Sequence, residues 1–75
     1  MPATDPLLKR YIEKVVAKLP EVPRLVVILR YQEGLDPSDI AELLEMPVAT
    51  VKSHLQRSLA VLRRRLSHAM PEEKS

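Results

Sequence analysis

Apolar residues that recur at the helical period, interrupted by prolines, limit the fold of this chain more than any other feature. Between Leu7 and Leu19 the apolar residues follow steps of three, four and one, the pattern of an amphipathic helix: Leu7, Leu8, Tyr11, Ile12, Val15, Val16 and Leu19. Pro20 and Pro23 then break the chain, because proline fits the first turn of a helix but not its interior. The pattern therefore predicts a first helix over residues 7–19 and a new start close to Val22.

The second predicted helix runs from about Val22 to Gln32. It is apolar around most of its circumference, which predicts that it forms the buried centre of the fold, through Leu25, Val26, Val27, Ile28 and Leu29. Gly34 is the only glycine, and it stands after Glu33, where a left-handed helix cap is expected.

Capping signals mark the start of a third, short helix. Asp36 offers a side-chain cap, Pro37 suits the first helical position, and Asp39 places a negative charge in the positive first turn. The apolar residues expected to face inward are Ile40, Ala41, Leu43 and Leu44.

A fourth helix is predicted from Pro47 or Val48 to about Ser67. The third helix must end near Glu45, because Pro47 disfavours the helical conformation for the residue before it. At about 100° per residue, one side of the fourth helix is apolar and expected in the core: Val51, Leu55, Leu59, Leu62 and Leu66. The opposite side, called here the outward stripe, alternates small residues with long polar ones: Ala49, Ser53, Gln56, Arg57, Ala60 and Arg64.

Composition agrees with an all-α fold of four helices that ends in a helix-turn-helix. The 75 residues include no Phe, Trp or Cys, so the core must be packed from aliphatic side chains without disulfides or thiolate metal sites. Residues 7–68 are expected to form the domain, and residues 1–6 and 69–75 to be disordered. No run approaches the length of a membrane span and the N-terminus does not resemble a signal peptide, so a soluble cytoplasmic protein is expected.

Charge is unevenly distributed along the chain. Residues 1–45 carry six bases and eight acids, whereas residues 46–71 carry five bases and no acid. A basic face of this kind attracts polyanions, and the acidic remainder would orient the molecule as it approaches one. The alternative is that Arg63, Arg64 and Arg65 only solubilise a helix end and favour its negative dipole.

A short helix, a three-residue break and a longer basic helix predict a DNA-binding helix-turn-helix. The small residues of the outward stripe would let the backbone approach a groove floor, while Gln56 and Arg57 have the donors and acceptors to read purine edges. Lys52 and His54 flank the stripe, where phosphates would lie. An ordinary solvated face is the alternative, but such a face usually alternates Glu with Lys.

The start of the fourth helix gives a second indication. Pro47 has no side-chain acceptor, so the first backbone N–H groups need another partner. A phosphate would satisfy them, with the Thr50 hydroxyl added to the same anion. Water in a weak helix start is the alternative.

The segment from Leu19 to Leu66 resembles region four of bacterial sigma factors, above all those of the extracytoplasmic-function group. The blocks that carry the resemblance are "LRYQEGL", "DIAELL" and "MPVATVKSHLQR", in this order and spacing. The resemblance implies a four-helix domain that docks on the flap of the RNA polymerase β subunit and reads the −35 element of a promoter, with an anti-sigma factor as a further partner. It implies base-reading roles for Lys52, Ser53, Gln56 and Arg57, and a phosphate contact for Thr50.

The sequence departs from that family at two places. Glu45 and Ala49 stand where the family usually has glycine, so a left-handed Glu45 would cost on the order of 1 kcal/mol. Leu59, Ala60 and Val61 stand where the family is often basic. We therefore take as candidate DNA-binding residues those selected by the helical wheel and by the resemblance together: Thr50, Lys52, Ser53, His54, Gln56, Arg57 and Arg64.

Two other classes of binding protein fit parts of the sequence. An output domain of the LuxR type also carries "TVK" with a histidine two residues later, as in Thr50 to His54, and a sigma-like module could bind only an anti-sigma factor or the polymerase flap. An enzyme is not expected, because no nucleophile has a neighbouring base and His54 and His68 stand about 21 Å apart on one helix. No cofactor, metal, membrane or small-molecule substrate is expected.

Overall fold

The computed structural model describes residues 6–69, which form four helices. They are α1 (Pro6–Ala17), α2 (Glu21–Tyr31), α3 (Pro37–Leu44) and α4 (Val48–Ala69). This confirms the predicted all-α fold. Of the ends expected to be disordered, residues 1–5 and 70–75 lie outside the described range, whereas Pro6 and Ala69 belong to helices. None of the described helices is long and apolar enough to cross a membrane.

The loop between α2 and α3 turns at Gly34, as predicted. Its φ of 72° is the left-handed value that glycine adopts without a steric penalty. The N–H of Leu35 donates to the carbonyl of Leu29 at 3.0 Å, and Nη1 of Arg30 donates to the carbonyl of Leu35 at 3.3 Å. These two bonds fold the loop back against the end of α2.

The start of α3 differs in one detail from the prediction. Asp36 is its extended N-cap residue and Pro37 follows at the first position, but the Asp36 side chain makes no cap hydrogen bond. Asp36 is exposed, so its carboxylate is solvated by water while its charge still lies at the positive end of the helix.

The core lies where α2, α3 and the first half of α4 meet, and Leu19, two residues after α1, closes it. Ile40, Val26 and Val51 are fully enclosed, and the buried cluster as a whole comprises Leu19, Val26, Val27, Ile40, Ala41, Val51 and Leu55. Two expectations for α2 and α3 are wrong: Leu25 is 40% exposed and Leu43 is 61% exposed. The inward arc of α3 runs from Ile40 through Leu44 to Ala41, and Leu43 lies about 110° from the centre of that arc, so it points away from the core.

Two side-chain bonds attach α1 to the rest of the molecule. The hydroxyl of Tyr11 donates to the carbonyl of Arg65 in α4 at 3.2 Å, and Nη1 of Arg24 donates to the carbonyl of Ala17 at the end of α1 at 3.2 Å. Because Val15 of α1 and Leu19 just after it are buried, α1 is held by apolar contacts as well as by these bonds.

Candidate nucleic-acid interface

The turn between α3 and α4 fixes the direction in which α4 leaves the core. Glu45 is left-handed, with φ 55° and ψ 52°, which confirms the conformation expected if the turn belongs to a helix-turn-helix. Its N–H donates to the carbonyl of Glu42 at 3.3 Å, and the N–H of Met46 donates to that of Ala41 at 3.0 Å. These are the two bonds of a Schellman motif, and the Met46 side chain packs against the core cluster as that motif usually requires.

The first turn of α4 is open to solvent. The carbonyl of Pro47 accepts from Thr50 N–H at 3.0 Å and from Val51 N–H at 3.2 Å. The N–H groups of Val48 and Ala49 precede these bonds, and no acceptor for them is found among the described residues. Both residues are exposed, so an anion from solvent has access to this helix end.

The outward stripe of α4 is confirmed as a surface. Its long polar residues Gln56, Arg57 and Arg64 are exposed, as are Ala49, Ala60 and the flanking Lys52. Thr50 and Ser53 are half-buried, which leaves their hydroxyl groups close to the body of the helix. Since Val51 and Leu55 are buried on the other side, the stripe is held in a fixed orientation relative to the core.

His54 differs in placement from the other candidates. Its ring is half-buried, and its Nδ1 atom is enclosed without a hydrogen-bond partner among residues 6–69. That nitrogen is therefore turned away from any phosphate outside the helix. Of the two ring nitrogens, only Nε2 remains for the phosphate contact that the sequence suggested.

The inner side of α4 is buried over its first half only. Ser58, which the sequence reasoning did not select, is 2% exposed, whereas Leu59, Leu62 and Leu66 are half-buried. Ser58 lies seven residues after Val51, about two helical turns, so its position on the wheel was the available signal. The three leucines are less enclosed because the second half of α4 lies beyond α3.

The charge pattern of the sequence persists in three dimensions. Over its full length α4 contains five bases, two histidines and no acid. None of those bases has an ion-pair partner within the described part of the chain. Their positive charge is therefore available to a polyanion in solution.

An apolar groove lies on another side of the domain, between α1, α2 and the second half of α4. Its volume is about 510 Å³, and its lining includes Ile12, Val16, Val27, Ile28, Leu59 and Leu62. Lys9, Glu13 and Arg24 supply charges at its edge. Sequence reasoning did not identify this groove, because it depends on the angle at which α1 packs on the other helices.

Within residues 6–69 there is no group of His, Cys, Asp and Glu that could hold a metal ion. The described residues offer a fixed helix with an open N-terminus, an exposed polar stripe and unpaired bases, with an apolar groove on a different side.

Comparison with known proteins agrees with this description. Residues 9–62 match the family model described as "Sigma-70, region 4". Among curated relatives, the ECF RNA polymerase sigma factor SigW of Bacillus subtilis is 37% identical over 59 residues, which cover 79% of this chain and 32% of the relative. The ECF RNA polymerase sigma-E factor of Haemophilus influenzae is 33% identical over 63 residues, which cover 84% of this chain and 33% of the relative.

The chain thus spans about a third of the length of the curated relatives that it matches. The matched region includes α2, α3 and the part of α4 that carries the outward stripe as far as Ala60. The LuxR-type alternative is not supported by these matches. The helix-turn-helix geometry and the family match together show that the chain belongs to the sigma-70 region 4 family, as it occurs in extracytoplasmic-function sigma factors.

Proposed function

We propose that this domain binds the −35 element of bacterial promoters as the region-four part of a sigma factor that directs RNA polymerase to transcription start sites in the cytoplasm. One observation carries the proposal: the outward stripe of α4 is free of acids and exposed except at the half-buried Ser53, on a helix that Val51 and Leu55 anchor in the core. A duplex in contact with this stripe meets positive charge and hydrogen-bonding groups in a fixed geometry.

In this proposal the start of α4 holds a phosphate of the DNA backbone. The N–H groups of Val48 and Ala49 point out of the helix end, and Thr50 adds a hydroxyl one turn in. Helix N-termini bind phosphate through such N–H groups and through the helix dipole. Lys52 and the Nε2 atom of His54 contact phosphates on either side of the stripe.

The bases are read from the middle of the stripe. Ser53 lies close to the helix axis and lets the backbone approach, whereas Gln56 and Arg57 extend outward and pair with purine edges. Arg64 lies on the same stripe seven residues after Arg57, about 10.5 Å further along the helix, and reaches the backbone beside the recognised site.

The apolar groove is the proposed docking site for the flap of the RNA polymerase β subunit. Its lining of aliphatic side chains suits the apolar face of an amphipathic helix. It lies away from the outward stripe, because Leu62 of the groove follows Ser53 by nine residues, a rotation of about 180°. DNA and polymerase are therefore bound at the same time, and an anti-sigma factor that covers either surface blocks initiation.

The test is binding of the domain to duplexes that carry matched or scrambled −35 elements, at several salt concentrations. Fusion to a flap fragment raises the effective concentration of a weakly binding module. Arg57→Ala is expected to cost about 1–3 kcal/mol on the matched duplex and much less on the scrambled one, because a bidentate base contact carries discrimination.

Thr50→Ala is the matched comparison, because it removes a proposed phosphate contact from the same helix. It is expected to weaken binding to both duplexes by a similar factor. An equal loss on both duplexes for Arg57→Ala contradicts the assignment of direct base reading. A wild-type domain without any preference for the matched duplex contradicts promoter recognition and favours a module that binds only protein partners.

A further inference from the structure

A row of positive charge runs along α1, outside both the outward stripe and the apolar groove. Arg10 and Lys14 are one helical turn apart on α1, and Lys18 follows one turn later in the bend that closes the helix. All three side chains are exposed. We call these three residues the α1 basic row.

The α1 basic row carries three positive charges, which the single acid of α1 balances only in part. Like charges four residues apart on a helix destabilise it by about 0.2–0.5 kcal/mol per pair. Glu13 is the only acid of α1, and it lies at the edge of the apolar groove. No residue of the row has an ion-pair partner within residues 6–69. The row therefore has an excess of positive charge that a partner of opposite charge would neutralise.

The position of the row separates it from promoter DNA. Lys14 is three residues after Tyr11, so the two lie side by side on α1. Tyr11 bonds to the carbonyl of Arg65, and α1 packs on the side of α4 that carries Leu62, opposite Ser53. A duplex on the outward stripe is thus separated from α1 by the diameter of α4, about 10 Å. The basic row faces away from that duplex.

We propose that the α1 basic row is a docking surface for an acidic protein segment, with carboxylates about one helical turn apart. Such a segment matches the spacing of the row, about 6 Å between residues four apart. Arg65 of α4 is exposed beside Tyr11 and extends the positive surface. This acidic segment can bind while DNA occupies the outward stripe of α4 and another ligand occupies the apolar groove. The placement of the duplex rests on the proposed function, but the docking surface does not.

The probe is a helical peptide with three Glu residues at every fourth position, and its control is the same peptide with Gln in their place. Binding to the 75-residue chain is measured by fluorescence anisotropy at 50 and 150 mM salt. The Glu peptide is expected to bind and the Gln peptide is not. The triple variant Arg10→Gln, Lys14→Gln, Lys18→Gln is expected to bind the Glu peptide about tenfold more weakly, because the loss of three exposed ion pairs changes the affinity by about that factor.

The matched control is the triple variant Lys52→Gln, Arg57→Gln, Arg64→Gln, which removes the same charge from the outward stripe and its flank. This control is expected to keep its affinity for the Glu peptide within about twofold of wild type and to lose duplex binding. The α1 variant is expected to keep its affinity for the duplex within about threefold at 150 mM salt, because charges more than about 8 Å apart are screened there. Thermal melts establish that both variants fold.

Three results overturn the proposal. The first is no binding of the Glu peptide to the wild-type chain, the second an equal loss of affinity for that peptide in both variants, and the third an equal loss of affinity for the duplex in both variants. The second result would show that the peptide binds any positive surface of the chain, and the third would show that the row binds DNA. A chain that binds the peptide through the row but binds no duplex contradicts the promoter proposal and leaves this one standing.

Discussion

The two halves of α4 are built from similar residues but are held very differently. The first half buries Val51, Leu55 and Ser58 against α2 and α3. The second half lies along α1 and the edge of α2, with Leu62 and Leu66 only half-buried and three consecutive arginines exposed. The same helix is thus a fixed element at one end and a charged, more accessible element at the other.

This difference matches two kinds of binding. Reading base edges requires that a side chain be held in one position, because a bidentate hydrogen bond tolerates little displacement. Attraction to phosphates or carboxylates depends mainly on charge and tolerates a looser geometry. The buried half of α4 suits the first task and the arginine-rich half suits the second.

The largest expected effect is on the buried half. Leu55→Asp should abolish cooperative unfolding, because an unpaired carboxylate in the core costs more than the roughly 3–5 kcal/mol that a core of this size supplies. Thermal melts followed by circular dichroism measure it.

Two substitutions of the same kind sharpen the comparison. Leu66→Asp, in the second half of α4, should destabilise the domain without unfolding it, and Leu43→Asp, at a residue 61% exposed, should leave the melt almost unchanged. A cooperative melt near the wild-type temperature for Leu55→Asp contradicts the assignment of the core.

A smaller effect, of opposite sign, is expected at the turn that orients the buried half. Glu45→Gly should raise the free energy of unfolding by about 1 kcal/mol, because glycine has no steric penalty in the left-handed conformation. Denaturant unfolding measures the change.

Glu42→Gly is its matched control, since it removes the same charge from the neighbouring interior of α3. It should lower the free energy of unfolding by about 1 kcal/mol, the usual cost of glycine within a helix. Destabilisation by both substitutions would show that Glu45 is not left-handed in solution.

The smallest effect is expected at the contact that holds the second half. Tyr11→Phe should lower the free energy of unfolding by about 0.5–1 kcal/mol, because it removes only the exposed bond to the Arg65 carbonyl. Amide hydrogen exchange should become faster towards the end of α4 while Val51 and Leu55 keep their protection. Tyr31→Phe, whose hydroxyl makes no bond within the described chain, should change neither quantity.

The sequence predicted the helices well because their limits depend on local chemistry. Pro20, Gly34 and Pro47 end or restart helices wherever the chain folds, and the outward stripe follows from helical geometry alone. The exposure of Leu25 and Leu43, the burial of Ser58 and the apolar groove depend on how the helices pack against one another. No single segment contains that information.

Duplex DNA is expected to contact the first half of α4, and nuclear magnetic resonance tests this contact most directly. The isotope-labelled chain is titrated with a duplex carrying its preferred −35 element, and amide shifts are followed along α4 and α1. We predict the largest shifts from Val48 to Arg57, a further shift at Arg64, and little change at Arg10, Lys14 and Lys18. Largest shifts on α1 or over residues 58–69, with residues 48–57 unaffected, would contradict it.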